Sequence, residues 1–555
     1  MPTAPPAVPP ATGPTVASPS ATATAAPVTA TPAPLATPVD ATQIFVDGTF
    51  TADPVSHDFN ANPNCGGEPE LWAGLLTFTA GLEPTPDWAQ TWEVSGDGLT
   101  WTFNLRPGNH GWSNGDPVTA ADFVWSWQRK LEPATGASDA GVLYAIRNAA
   151  AVHAGTARPA ALGVSAVDQW TLQVQLTSPA PGFLATVASL ATVPAHRASV
   201  ERFGARWTDA GNCVSNGPFQ LDSWEHGVRF QLSVNGSYWG AGNVTLSGVD
   251  VPITPAESAL LEYRLNRVDQ VGVLGTDIAG LQADPTLGPQ LQRTIGNGSW
   301  ALYPNAAVPP FDDPRVRLAV AHAVDRRRLV DLVSGRAVAA TSLLPPSFPA
   351  HVDDPTVTAL QTFDVTAALD ALSGTRYAGG TGWPDVTLVV RHEDPDSDLL
   401  GRDVGTQLAE NLGMPVTTLV LDTAAFDAAL SRRSAGLVWE RTWFTTPDPA
   451  SAYGSLFSGP IAGRPTTWQS TEFVSLLASA VGETDPAQVP ARFAACERLL
   501  QTDVVYVPAA YPATWYLVQP WVGGIPVDRA GYPLLIDRVF TRRLMGLRIA
   551  GRPAS

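Results

Sequence analysis

Lysine is all but missing from this chain of 555 residues: Lys130 is the only one, and arginine carries the rest of the fixed positive charge. That bias reads as genome composition, not function. Acidic residues outnumber Lys and Arg by 51 to 33, a formal charge of −18. Nucleic-acid binding needs basic patches, so nucleic acid is excluded as a partner. Cysteine is scarce. Cys65, Cys213 and Cys496 are too few to build a fold from disulfides and lack the CxxC spacing of a metal site. No stretch approaches the ~20 apolar residues of a membrane helix. The opening MPTAPPAVPPATG has no signal-peptide apolar core and reads as a mature start with its targeting segment removed. Enzyme motifs are missing as well: no GxSxG, no HExxH, no Walker loop, no GxGxxG after a strand. The eight histidines are scattered singly. Asp312-Asp313 and Asp353-Asp354 lie beside prolines as loop carboxylates or solvated surface. Without a nucleophile–base pair the chain reads as a binding protein, with no cofactor, no metal and no catalytic residue.

Present instead are 45% hydrophobic residues and 18 tryptophans, enough for large cores in two to four domain-sized units. Residues 1–42 are nearly all Pro, Ala, Thr, Ser and Val. Such a tract buries too little apolar surface to offset its chain entropy, so a disordered tether is expected, a plain linker being the alternative. The ordered body should start with a short strand at Gln43–Gly48, followed by a polar loop, His57 to Asn62, and a helix from Glu68 to Leu76.

The most informative stretch is GLTWTFNLRPGNHGWSNGDPVTAADFVWSWQRKLEP, from Gly98 to Pro133. Leu99, Trp101, Phe103 and Leu105 alternate with Thr100, Thr102 and Asn104, the period of a half-buried strand. Pro107-Gly108 and Asn114-Gly115-Asp116-Pro117 mark a loop. Thr119, with Asp122 three residues on, caps a helix whose apolar positions are Phe123, Val124, Trp127 and Leu131. Further on, two short strands flank the turn at Val167-Asp168, and a helix should run from Val316 to Leu329. Another strand is expected from Val386 to Val390, and an amphipathic helix from Ala491 to Leu500.

This Gly98–Pro133 segment resembles the signature of the extracytoplasmic solute-binding proteins that feed peptide-type ABC importers, the oligopeptide-, dipeptide- and nickel-binding proteins of family 5. Gly211-Asn212-Cys213-Val214-Ser215-Asn216-Gly217-Pro218-Phe219 resembles a second family motif, with Gly217 and Pro218 setting a turn. Pro309 to Arg317 and Val518 to Gly524, then Asp537 to Phe540, continue the likeness. The resemblance implies an α/β, two-lobed periplasmic-binding-protein fold of type II in its large version. Lobe I would comprise 43–72, 208–297 and 513–555, with an inserted domain 73–207 and lobe II at 298–512. Hinges would run through 297 and 512.

The resemblance also implies the site. Leu437 to Trp443 looks like the strand that meets the ligand, with Trp443 walling a side-chain pocket and Thr442 and Phe444 beside it. Peptide-binding members carry an Asp about three residues after that Trp to hold the ligand's amino group; here Thr445 and Thr446 stand there. Glu440, Asp448 or Asp58 would then supply the charge, or the ligand lacks a free amino terminus. Arg391 and His392 are the first candidates for a ligand carboxylate, with Arg441 and Arg432 behind them. Asp58, Phe59 and Asn60 belong to a loop the family lays over its cleft, and Tyr511 and Trp515 match aromatic cleft positions. Cys65 and Cys213, in stretches the family places in one domain, would form a disulfide; Cys496 would be a buried free thiol. The expected role is capture of a peptide outside the membrane by a monomer and its delivery to ABC permease subunits, with the precursor lipid-anchored. A non-peptide solute (oligosaccharide, metal chelate, haem or siderophore-like compound) is the alternative.

Overall fold

The computed structural model describes residues 43–180, 182–458, 464–483, 485, 488–535 and 542–553. All of these lie in the unit Pro38–Ser555. The expected tether, 1–42, and the motif at Asp537 to Phe540 fall outside the described residues.

Three sheets organise the body. The first has four strands in the order Ile44–Val46, Gly248–Pro252, Arg229–Val234 and Phe219–Glu225, the first pair parallel and the others antiparallel. The second is antiparallel, in the order Ala89–Val94, Thr100–Leu105, Thr171–Gln175 and Val164–Ala166. Its Thr100–Leu105 strand buries Trp101, Phe103 and Leu105 and leaves the residues between them half-exposed, as the alternation dictates. The helix Ala120–Leu131 packs against this sheet. At its start the Asp122 carboxylate accepts from the Thr119 N–H at 2.7 Å and hydroxyl at 2.9 Å, which satisfies the first turn. Phe123, Trp127 and Leu131 are fully buried on one stripe. Lys130, between them, is 0% exposed, and its ammonium is paired with Asp139 at 2.6 Å.

The third sheet has eight strands and is mixed. Val386–Arg391, Val416–Leu421 and Leu437–Trp443 run parallel, joined through the helices Pro395–Leu412 and Thr423–Arg432. Val386–Arg391, the middle strand of the three, is covered on both faces and reads as a near-continuous apolar run, whereas Val416–Leu421 stays half-exposed. The 12-residue strand Val507–Val518 has two sets of partners. Its first half pairs with Gly298–Pro304 and Ala337–Ala339, its second with Leu291–Ile295 and Gln270–Gly272. The changeover falls where the Gly296 N–H donates to the Pro512 carbonyl at 2.8 Å.

Three expectations need correction. Glu68 to Leu76 is not a helix but a 3-10 turn, Pro69–Leu71, followed by the strand Leu76–Phe78. The Asn216 side chain bonds both the N–H and the carbonyl of Ala73, at 3.0 and 2.8 Å, and so holds the chain extended. The single helix from Val316 to Leu329 is two, Pro314–His322 and Arg326–Leu332. Asp325 breaks it by capping the second, accepting from Arg327 and Arg328 N–H at 2.9 and 3.3 Å. At Gly217 and Pro218 the chain turns, as expected, and the structure adds why the first of them is glycine. A Cβ there would lie 2.4 Å from the Glu70 carbonyl oxygen and 2.6 Å from Leu71 C, so glycine is required by close backbone approach. Finally, Cys65 and Cys213 are not joined; all three cysteines are free thiols. Each is pinned by its own loop: Cys65 O accepts from Val55 N and Cys213 N donates to Asp209 O. Burial pushes both thiols up, to about 11 and about 12. Cys496 is a buried thiol, as expected.

Candidate ligand cleft

The parallel strands Val386–Arg391 and Leu437–Trp443 bring their carboxyl ends to one edge of the third sheet, where open α/β sheets form their binding crevices. Leu437–Trp443 is paired along its whole length with Gly298–Pro304. On its other side Val386–Arg391 accompanies it only at Leu437, Val438 and Trp439. The Phe444 N–H donates to the Asn297 carbonyl at 2.8 Å, which sets the alternation: Glu440, Thr442 and Phe444 turn their backbone groups to the paired side. Arg441 and Trp443 turn theirs to the side where the neighbouring strand has ended.

A cavity of about 640 Å³ opens there. One wall is Thr442, Trp443, Phe444, Thr445, Thr446, Asp448 and the short helix Pro449–Tyr453; the other includes Asp139, Val142, Gly182 and Phe183. The walls touch where Gly182 meets Asp448: a Cβ on Gly182 would sit 2.1 Å from Asp448 Oδ2. Asp448 accepts from the N–H groups of Ala450 and Ser451, both at 3.1 Å. Burial raises its pKa, and among the described residues no cationic side chain pairs with it. Asp139, the other carboxylate in the lining, is paired with Lys130. The described lining holds no Lys, Arg or His.

Trp443 is 50% exposed and lies over Gly298, whose missing side chain makes room for the ring. The Arg441 guanidinium stacks 4.4 Å from the Trp443 ring centroid and 5.0 Å from that of Trp300. It is also held by Glu393 at 2.9 Å and Asp394 at 2.7 Å. Glu440 pairs with Arg391 at 3.1 Å, and its carboxyl is pushed up to about 7, chiefly by burial. Arg391 also meets Asp427 at 2.9 Å, and His392 meets Asp398 at 2.9 Å.

Of the expected site residues, Thr442, Trp443, Phe444, Thr445 and Thr446 come together in the cavity, with Asp448. Glu440, Arg441, Arg391 and His392 stand at the strand ends beside it, committed to internal ion pairs. Asp58, Phe59 and Asn60 are buried elsewhere, against the helix Ala120–Leu131. Asp58 is spanned by Arg129 at 2.6 Å and the Trp207 indole N–H at 2.8 Å, and Asn60 donates to Ser126 O. Tyr511 is buried, its hydroxyl donating to Ser342 O at 2.7 Å. The Trp515 indole donates to Gly335 O at 2.8 Å, behind the changeover of the long strand. The wall containing Asp139, Gly182 and Phe183 carried no sequence signal beyond the sole lysine, nine residues before Asp139.

Residues 83–463 match the family model of bacterial extracellular solute-binding proteins, family 5, and the chain belongs to that family. Its fold is the two-lobed periplasmic-binding-protein fold. The periplasmic oligopeptide-binding protein OppA of Escherichia coli K12 is 27% identical over 84% of this chain and 86% of its own. The probable deoxycholate-binding periplasmic protein YgiS of the same organism is 28% identical over 91% and 94%. Among solved structures, the periplasmic murein tripeptide binding protein MppA in its unliganded open form superposes with a TM-score of 0.80 at 24% identity, covering 93% of this chain and 99% of that one. Another MppA structure, from Escherichia coli, gives 0.66 at 25% identity, over 92% and 99%.

Proposed function

We propose that this solute-binding protein captures a short peptide, held extended in the cleft, outside the membrane and passes it to the permease of an ABC importer. One observation carries the reading: the backbone groups of Arg441 and Trp443 face an open strand edge beside Asp448, a carboxylate without a cation. An extended peptide can add to that edge as a strand, its amino group at Asp448, with Trp443 and Phe183 against its side chains. Asp448, two residues beyond Thr446, thus takes the place of the acid expected at Thr445 or Thr446. Burying an ammonium without a carboxylate would cost several kcal/mol, so this pairing decides which end of the ligand enters.

The lobes would be those set out from the sequence, 43–72 with 208–297 and 513–555 against 298–512, with 73–207 inserted and hinges at 297 and 512. The partner change within Val507–Val518 supports that division. Closure of the lobes on the ligand would be a rigid-body step. The protein would act as a monomer, lipid-anchored through its precursor. A non-peptide ligand is the second reading, favoured by the apolar Val142, Phe183 and Phe444 in the walls and by the name of the YgiS relative. An anionic ligand of that kind would meet Asp448 with no lining cation to offset it.

Native mass spectrometry of the purified protein, followed by denaturation, tests the reading. A ladder of short peptide masses is the expected result, and Asp448→Asn should lower peptide affinity about 10–100-fold while preserving the helix cap. A single non-peptide mass would overturn it.

A further inference from the structure

The arginines at the carboxyl ends of the cleft strands are all spoken for. Arg391 lies between Glu440 at 3.1 Å and Asp427 at 2.9 Å, its guanidinium 4.4 Å from the centroid of the Phe426 ring. Arg441 lies between Glu393 and Asp394 and is stacked between two indoles. These two cations thus face four carboxylates of their own chain, and both guanidinium groups are already largely desolvated and held. A ligand carboxylate would have to displace a partner that is covalently part of the protein and therefore present at high effective concentration. The described lining of the cavity contributes no other cation; its sole ammonium neighbour, Lys130, is bound to Asp139.

From this arrangement, and resting on the peptide reading above, we infer that the cleft recognises its ligand by the amino end alone. The ligand's carboxyl end is left in solvent, and Glu440, Asp427, Glu393 and Asp394 enforce that by holding Arg391 and Arg441. The substrate class is accordingly peptides with a free amino terminus, whether they end in a carboxylate, an amide or further residues.

The test offers the full chain a degenerate library of three- to six-residue peptides in three forms: free, N-acetylated and C-amidated. Complexes are counted by native mass spectrometry, and affinities of the captured sequences are measured by calorimetry. Free and amidated forms should bind within about threefold of each other, whereas acetylation should weaken binding about tenfold or more. Loss of affinity on amidation, with the free form bound, would overturn the inference and leave the peptide reading standing. Equal capture of acetylated peptides would also overturn it. Capture of none of the three forms would sink the peptide reading and this inference with it.

Discussion

Lys130→Met is a sharp probe of the structure, because the chain's one lysine is also one of its most deeply buried charges. Its side chain is 0% exposed, and its ammonium donates to Asp139 Oδ1 at 2.6 Å and to the Asn60 carbonyl at 3.3 Å. Burial lowers its pKa, and Asp139 acts against that shift. Methionine keeps the volume and the apolar stem but strands Asp139. Removing one member of a buried pair costs about 3–5 kcal/mol. Asp139 is 15% exposed and lines the cleft, so solvent can partly compensate it and the lower figure applies. A loss of about 3 kcal/mol should lower the melting temperature of the domain carrying it by roughly 6–12 °C. Adding Asp139→Asn should recover part of the loss, and a double-mutant cycle gives the coupling between the two charges. Amine labelling gives a second readout without mutation: by peptide mapping, Lys130 should react only as the surrounding fold opens. The reasoning fails if Lys130 labels as fast in buffer as in denaturant, or if Lys130→Met melts within about 1 °C of the parent.

The glycine at 217 should tolerate no side chain. Gly217→Ala places its Cβ against the backbone of Glu70 and Leu71 and should cost about 3 kcal/mol, read as a lower denaturation midpoint; an unchanged midpoint would contradict the close approach. Stability should also fall as pH rises from about 5 to 8. Burial lifts the carboxyls of Glu68, Glu70 and Glu440 from 4.5 to about 7, about 8 and about 7. Over that window the folded state holds protons that the unfolded chain has released, so raising pH favours unfolding, and the effect levels off above the folded values. Melting curves from pH 5 to 9 check this, and Glu70→Gln should flatten them. Trp515→Phe keeps the ring but leaves the Gly335 carbonyl without its indole partner. About 1 kcal/mol should be lost from the contact behind the changeover, shifting the unliganded protein's scattering profile without altering its secondary structure; an unchanged profile would assign Trp515 a packing role only.

Local rules read well in this sequence wherever one element answers to its own pattern. The alternation of Trp101, Phe103 and Leu105 and the capping box at Thr119 and Asp122 required no knowledge of partners. Val386–Arg391 was equally legible as an apolar run, whereas Leu437–Trp443, with Glu440, Arg441 and Thr442 inside it, was placed by its likeness to the family's ligand strand. Where a side chain distant in sequence takes over a backbone group, the local reading failed. Asn216 holds Ala73 extended across 143 residues; Asp325, by contrast, starts a new helix as a local cap that the helical spacing concealed. The turn at Gly217 was legible, but the approach of the Glu70 backbone that demands glycine there was not.

The cleft divides in the same way. From the sequence came the strand ending at Trp443, with Thr442, Phe444, Thr445 and Thr446, because those residues are contiguous and carry a family likeness. Which charges are available there was beyond its reach. Arg391, Arg441, Glu440 and Asp58 are all plausible ligand partners on paper. Only tertiary packing shows each matched to a countercharge tens of residues away, leaving Asp448 without one among the described residues. Covalent order fixes what a strand or cap can be; which charge is spent and which is free is settled when the chain brings its distant carboxylates and guanidinium groups within about 3 Å of each other.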